Sequence, residues 1–159
     1  MTPLPSPKAV RDLLLERLGR EIALRPGVPY VPEEGERATL AVYVDAAVRT
    51  RAVVIADLPF SAYAGAAVGL LTSGSAEEAI ADRALPGAIR ENLRRLLEAC
   101  AALLNEDGAP TVRYYAMHAP GTVPPTDVSG YARVVGRRLD YEVAVPGYGA
   151  GRLSVVLVG

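Results

Sequence analysis

The sequence contains no tryptophan and only one cysteine, one histidine and one phenylalanine among its 159 residues. A lone cysteine, Cys100, excludes an intramolecular disulfide. The histidine, His118, has no carboxylate or thiolate partners at helical or hairpin spacing, so no metal centre is expected. A serine-nucleophile triad is not expected either, because no Gly-x-Ser-x-Gly elbow is present. Lysine is nearly absent as well: Lys8 is the only one, and the other basic residues are arginines spread along the chain. With a formal charge of -1 and a pI near 5.9, the chain lacks the basic footprint that a nucleic-acid backbone requires. Long apolar runs are also missing. The longest, 58–71, is too short for a bilayer and contains Pro59, Ser61, Gly65 and Gly69. The first seven residues alternate with proline and lack the charged-then-apolar pattern of a secretory leader, so the expected compartment is the cytoplasm.

What is present is the composition of a globular domain, half hydrophobic and 22% charged. The length fits one domain over 1–159, with 1–7 as an extended arm. Ser6 followed by Pro7 reads as an N-cap and first helical position, and Val10, Leu13, Leu14 and Leu18 form the buried stripe of a helix ending near Gly19. A short strand is expected over 21–24, then a polar loop over 31–36. Two β-rich runs follow, 40–45 and 52–56, close enough to form an antiparallel hairpin. Asp57 and Pro59 open a helix over 58–71 that is apolar nearly all round and therefore buried, with Gly65 and Gly69 one turn apart to admit a close neighbour. Ser75 and Glu78 read as the capping box of a short helix ending near Arg83. A long helix is expected over 88–105, a strand over 111–117, a short helix begun by Asp127 or Ser129, and a closing hairpin over 139–158. Helix, strands, two or three helices and strands again make an α+β fold with a mainly antiparallel sheet packed with a long helix.

The segment Gly147-Tyr148-Gly149-Ala150-Gly151 looks like half of a phosphate-binding fingerprint. It is followed by a strand rather than the helix N-terminus that such a loop needs, so it is read as a flexible hairpin loop. No cofactor is expected. Cys100 falls on the apolar side of the long helix with Ile89, Leu93, Leu96 and Leu103, and is read as a packing residue.

The polar side of that helix is the candidate functional surface. Glu91, Glu98 and Asn105 are spaced by sevens and form one row, flanked by Arg94 and Arg95. The row supports ion pairs such as Glu91 with Arg94 or Arg95, and it also displays carboxylates and amides to a partner. Glu91, Asn92, Arg94, Arg95 and Glu98 are the candidate partner-binding residues, and Glu98 and Asn105 the candidate catalytic pair.

The element order, the helix from Glu91 to Asn105 and the closing hairpin resemble the CheC/CheX/FliY chemotaxis phosphatase family over most of the chain. The resemblance implies a CheX/CheC-like fold and a response-regulator receiver domain as partner. Family members carry Glu-x-x-Asn on an exposed helix, where the asparagine orients a water for phosphoryl transfer and the glutamate holds the receiver. Here that spacing is filled in no register: Glu98 is followed by Ala101, Arg95 precedes Glu98, and Glu16 is followed by Gly19. The implied function is therefore regulatory binding of a receiver or another protein without the standard phosphatase activity. Two alternatives stay open: an active phosphatase with a rearranged site, using Glu98 with Asn105 or Glu91 with Asn92, and a structural homodimer or assembly subunit joined through helix 58–71 or an edge strand.

Overall fold

A computed structural model describes residues 2–105 and 111–159. Six strands form one sheet: β1 (Ala23–Pro26), β2 (Thr39–Val44), β3 (Thr50–Ala56), β4 (Arg113–His118), β5 (Arg138–Val145) and β6 (Gly149–Leu157). Their order is β1-β5-β6-β3-β2-β4, and every neighbouring pair is antiparallel. The α+β class and the antiparallel sheet are as the sequence indicated. The helices are α1 (Pro7–Leu18), α2 (Leu58–Val68), α3 (Ser73–Asp82), α4 (Gly87–Ala99) and α5 (Thr126–Ala132), with a 3-10 turn over Cys100–Leu104.

The order contains a relation invisible in the residues. Exchanging β1, β2, β3 with β4, β5, β6 reproduces the same sheet, and α1 leads the first set as α4 leads the second. The two halves are interleaved, because β1 pairs with β5 and β4 with β2.

Each face of the sheet has its own core. On one face, Ala41 and Tyr43 of β2, Val54 of β3, Val143 of β5 and Val155 of β6 pack against α1, α2 and α4. On the other, Leu40, Val42, Val53, Ile55 and Val156 lie under Tyr30 and under Val128 and Ala132 of α5. Strand β2 is consequently buried along its whole length.

The start of α1 follows its sequence signals. Ser6 Oγ accepts the Ala9 N–H at 3.1 Å, and Gly19 closes the helix in the left-handed region with φ 66°. Asp57 caps α2 by accepting the Phe60 N–H at 2.8 Å. Helix α2 is the packing hub. A Cβ on Gly65 would stand 2.5 Å from the Ile89 carbonyl oxygen, and one on Gly69 would strike the Asn92 amide, so the two glycines are what let α4 lie against α2.

Several expectations are corrected. The first strand lies two residues later than 21–24, because Ala23–Pro26 is the stretch in register with Tyr141–Ala144. Helix α3 is capped by Thr72, whose hydroxyl accepts the Ser75 N–H at 3.1 Å, and not by Ser75. The hairpin turn expected at the glycine-rich segment is confined to residues 146–148; Gly149 and Gly151 lie within β6, where a Cβ would collide with the Tyr63 ring and the Phe60 backbone of α2. His118 ends β4, one residue beyond the strand expected over 111–117, and is half-buried. The helix expected over 88–105 is α-helical only to Ala99, and the tighter 3-10 turn then carries the chain out of line.

Candidate protein-docking face

Helix α4 begins after Pro86, whose fixed φ suits a helix entry. Ile89, Leu93, Leu96 and Leu97 are buried against the core, which turns Arg90, Glu91, Arg94, Arg95 and Glu98 outward. Arg94 sits at the centre of an ion cluster. Its Nε and Nη2 donate to the two carboxylate oxygens of Glu91 at 3.0 and 2.7 Å, and its Nη1 donates to Glu98 Oε2 at 2.6 Å. Arg95 Nε adds a longer contact to Glu91, at 3.6 Å. The hydrogen bonds from Arg94 hold the Glu91 carboxyl below its ordinary range, and those it donates to Glu91 and then to Glu98 raise the Arg94 guanidinium. One planar fork thereby spans two turns of helix and fixes three long side chains in one arrangement.

The structure brings Glu91, Arg94, Arg95 and Glu98 together and sends the two amides elsewhere. Asn92 points to α2, where its Nδ2 donates to the Gly65 carbonyl at 3.0 Å. Asn105 has left the helix for an extended conformation. Its Nδ2 donates to the carbonyls of Ala101 and Val112 at 2.9 and 2.8 Å, and its Oδ1 accepts the Val112 N–H at 2.7 Å. The row through Glu91 and Glu98 therefore stops before Asn105, because five residues of 3-10 winding change the rotation per residue. Both carboxylates accept from Arg94, and Asn105 holds the chain on either side of itself. Chemically, the face presents fixed charge and guanidinium donors.

Two tyrosines support the helix from beneath. Tyr43 is fully buried, and its hydroxyl donates to the Leu97 carbonyl of α4 at 2.5 Å. Tyr114 on β4 meets the Tyr43 ring edge-on, with centroids 6.1 Å apart. Burial pushes the Tyr114 phenol upward, and the charges of Arg94, Glu98 and Glu91 also act on it, so β4 borders the ion cluster. Sequence periodicity marks Tyr114 only as a strand residue. Its position beside α4 comes from the pairing of β4 with β2.

Among the described residues no group of three or more His, Cys, Asp or Glu side chains could hold a metal ion, and no helix is long and apolar enough to cross a membrane.

The architecture is that of CheC-like proteins and of the FliM middle domain. The sequence matches no family model and no curated protein. Solved structures do share the fold. A chain of the FliM-SpeE complex from H. pylori aligns with a TM-score of 0.62 at 8% identity, over 94% of this chain and 80% of that one. The FliM middle domain from H. pylori aligns with a TM-score of 0.60 at 8% identity, over 94% and 83%. A CheC-like superfamily protein from Shewanella sp. PV-4 aligns with a TM-score of 0.51 at 11% identity, over 96% and 94%. The CheC/CheX/FliY-like fold expected from the sequence is the fold this chain adopts.

Proposed function

We propose that this chain is a regulatory protein of the chemotaxis or two-component type, which docks a receiver domain or another protein through the outer face of α4. The observation that carries the reading is the Glu91–Arg94–Glu98 cluster. It is a charged surface whose three side chains pair with one another before any partner arrives, which lowers the side-chain freedom to be lost on binding. The fold adds support, since among proteins that share it is a chain crystallised in a FliM-SpeE complex. Docking is favoured over phosphatase chemistry because the Asn105 amide is engaged by Ala101 and Val112 and both carboxylates are engaged by Arg94.

The test uses purified receiver domains of the source organism, with phosphate loss and binding measured in the same panel. Saturable binding to a receiver that Arg94→Ala weakens, with no faster phosphate loss, is the expected result. Faster phosphate loss that disappears in Glu98→Ala would replace this reading with a phosphatase built on a different residue set. Absence of binding across the panel, with a dimer by sedimentation that survives Arg94→Ala, would favour the assembly-subunit alternative.

A further inference from the structure

On the α5 side of the sheet, away from α4, the connection before β2 and the segment running from Gly121 through α5 enclose a cleft of about 520 Å3. That volume is in the range of small-molecule sites. Ala38, Leu40 and Ala132, members of the second core, give it an apolar lining, and Glu33, Glu34 and Arg133 stand along it. The glutamate wall is held by the fold. The 33–36 turn is closed twice: the Glu36 N–H donates to the Glu33 carbonyl and the Glu33 N–H to Glu36 Oε2, both at 2.9 Å. Arg37 and Arg83 then latch the turn to the end of α3. Arg37 Nη1 donates to the Arg83 carbonyl at 3.0 Å, and Arg83 Nη2 donates to the Gly35 carbonyl at 3.1 Å. Arg83 makes these bonds from a left-handed conformation, φ 55°, that is unfavourable for a residue with a Cβ. Gly121 closes the other wall on the same latch: its φ is 92°, and a Cβ there would stand 2.8 Å from Arg37 Nη1.

The charges along the cleft do not compensate one another. Arg37 and Arg83 direct donors to backbone carbonyls. Among the described residues, Glu33, Glu34 and Arg133 form no ion pair, although they line one cleft. With the turn latched, the carboxylates and the Arg133 guanidinium stay on separate walls. Tyr30, only 3% exposed, has no hydrogen-bond partner for its hydroxyl, and burial and then the charge of Glu36 push its phenol upward. A buried donor without an acceptor therefore lies beside the acidic wall. An apolar hollow with carboxylates on one wall and a guanidinium on the other complements a molecule that carries both charges. We propose that this cleft binds a small zwitterion with an apolar body, of the amino-acid or short-peptide class. Its ammonium would meet Glu33 and Glu34, its carboxylate Arg133, and its apolar part Leu40 and Ala132. The site is separate from the α4 face and does not rest on the docking reading.

The test titrates the full chain calorimetrically with leucine and with the dipeptide leucyl-leucine, which distinguish a free amino acid from a peptide. Isoamylamine and 4-methylpentanoate, which keep the leucine body and one charge each, serve as controls. One of the two zwitterions should bind saturably and at least about tenfold more tightly than either control. Arg133→Ala should weaken the zwitterion about tenfold and leave the amine unchanged. The double variant Glu33→Gln/Glu34→Gln should weaken the zwitterion and leave the acid unchanged. All three side chains are exposed, so both variants should keep the fold, which circular-dichroism melts verify. No saturable binding of either zwitterion overturns the inference. So does a single-charge control that binds as tightly, or zwitterion binding that neither variant alters.

Discussion

Arg138 and Asp140 project from the same face of β5 and meet in a buried ion pair, Nη2 to Oδ1 at 2.8 Å, with side-chain exposures of 3% and 7%. The guanidinium also donates to the carbonyls of Ala132, Val134 and Tyr30, and Asp140 accepts from the Tyr30 N–H and from Ser154 Oγ. The pair thus ties the end of α5 and the β1–β2 connection to the sheet. Arg138→Met leaves a buried carboxylate without its cation and should destabilise the protein by about 3–5 kcal/mol. Urea denaturation measures the loss, and faster hydrogen exchange in α5 would localise it. The double variant Arg138→Met/Asp140→Asn should recover part of the stability, since both charges are then gone.

The same pair predicts a pH dependence. Burial works against the Asp140 carboxylate, but the hydrogen bonds from Arg138, Ser154 and Tyr30 outweigh it and hold the carboxyl below its usual range. A carboxyl with a lowered folded-state pKa contributes stability above its unfolded value of about 3.9, and that contribution is lost as pH falls through the folded value. Denaturation midpoints measured from pH 6 down to pH 2 should decline on the acid side, and Asp140→Asn should flatten that decline.

The α2–α4 contact gives a third expectation. Gly65→Ala inserts a methyl against the Ile89 carbonyl and should destabilise by about 1–3 kcal/mol through overpacking. Asn92→Ala removes only the bond to the Gly65 carbonyl and should cost about 1 kcal/mol. Chemical denaturation of the two variants tests the ranking. Equal or inverted losses would mean that the helices separate readily at Gly65.

Val48 occupies the turn between β2 and β3 with φ 60°, a left-handed conformation unfavourable for a β-branched residue, and it is 50% exposed. The turn is held by Asp45, which accepts the N–H groups of Ala47 and Arg49 at 2.9 and 3.0 Å. Val48→Gly relieves the conformation and loses little burial, so it should raise stability by up to about 1 kcal/mol and the melting temperature by about 2–4 °C. A lower melting temperature would show that the valine side chain is making a contact of its own.

Cys100 is buried, and burial pushes its thiol up to about 12. Its reaction with a disulfide reagent at pH 8 should be slow in the native protein and immediate in denaturant. Rapid labelling without denaturant would indicate that the 3-10 turn opens readily.

Much of this architecture was legible because its signals are local. Ser6-Pro7 marked the start of α1, Asp57-Pro59 that of α2, and Gly65 with Gly69 the close approach of another element. What escaped depends on distant partners. Nothing in Ala101-Ala102-Leu103-Leu104 announces a change from α to 3-10 winding, so Asn105 looked like the end of a helical row. Gly149 and Gly151 looked like a loop because the reason for them, the Phe60 and Tyr63 side of α2, lies far away in sequence. Asp140 alternates with apolar residues and so resembles a solvent-facing strand position, although Arg138, Ser154 and Tyr30 bury it. Of the candidate site residues, Glu91, Arg94, Arg95 and Glu98 were readable from helical spacing, whereas Asn92 on the same helix turns to Gly65 of α2. Tyr114 was not, because its place beside α4 exists only once β4 is paired with β2.

The interleaving of the two halves has a kinetic consequence. Neither half can finish its own sheet: the outer strand of each is supplied by the other, and β3 meets β6 only after most of the chain is available. Early collapse of one half leaves open strand edges until the second half threads its strands between them. Such non-local closure slows folding relative to a fold of sequential hairpins. Two separately expressed halves, divided between α3 and α4, should each remain unfolded alone and become structured when mixed.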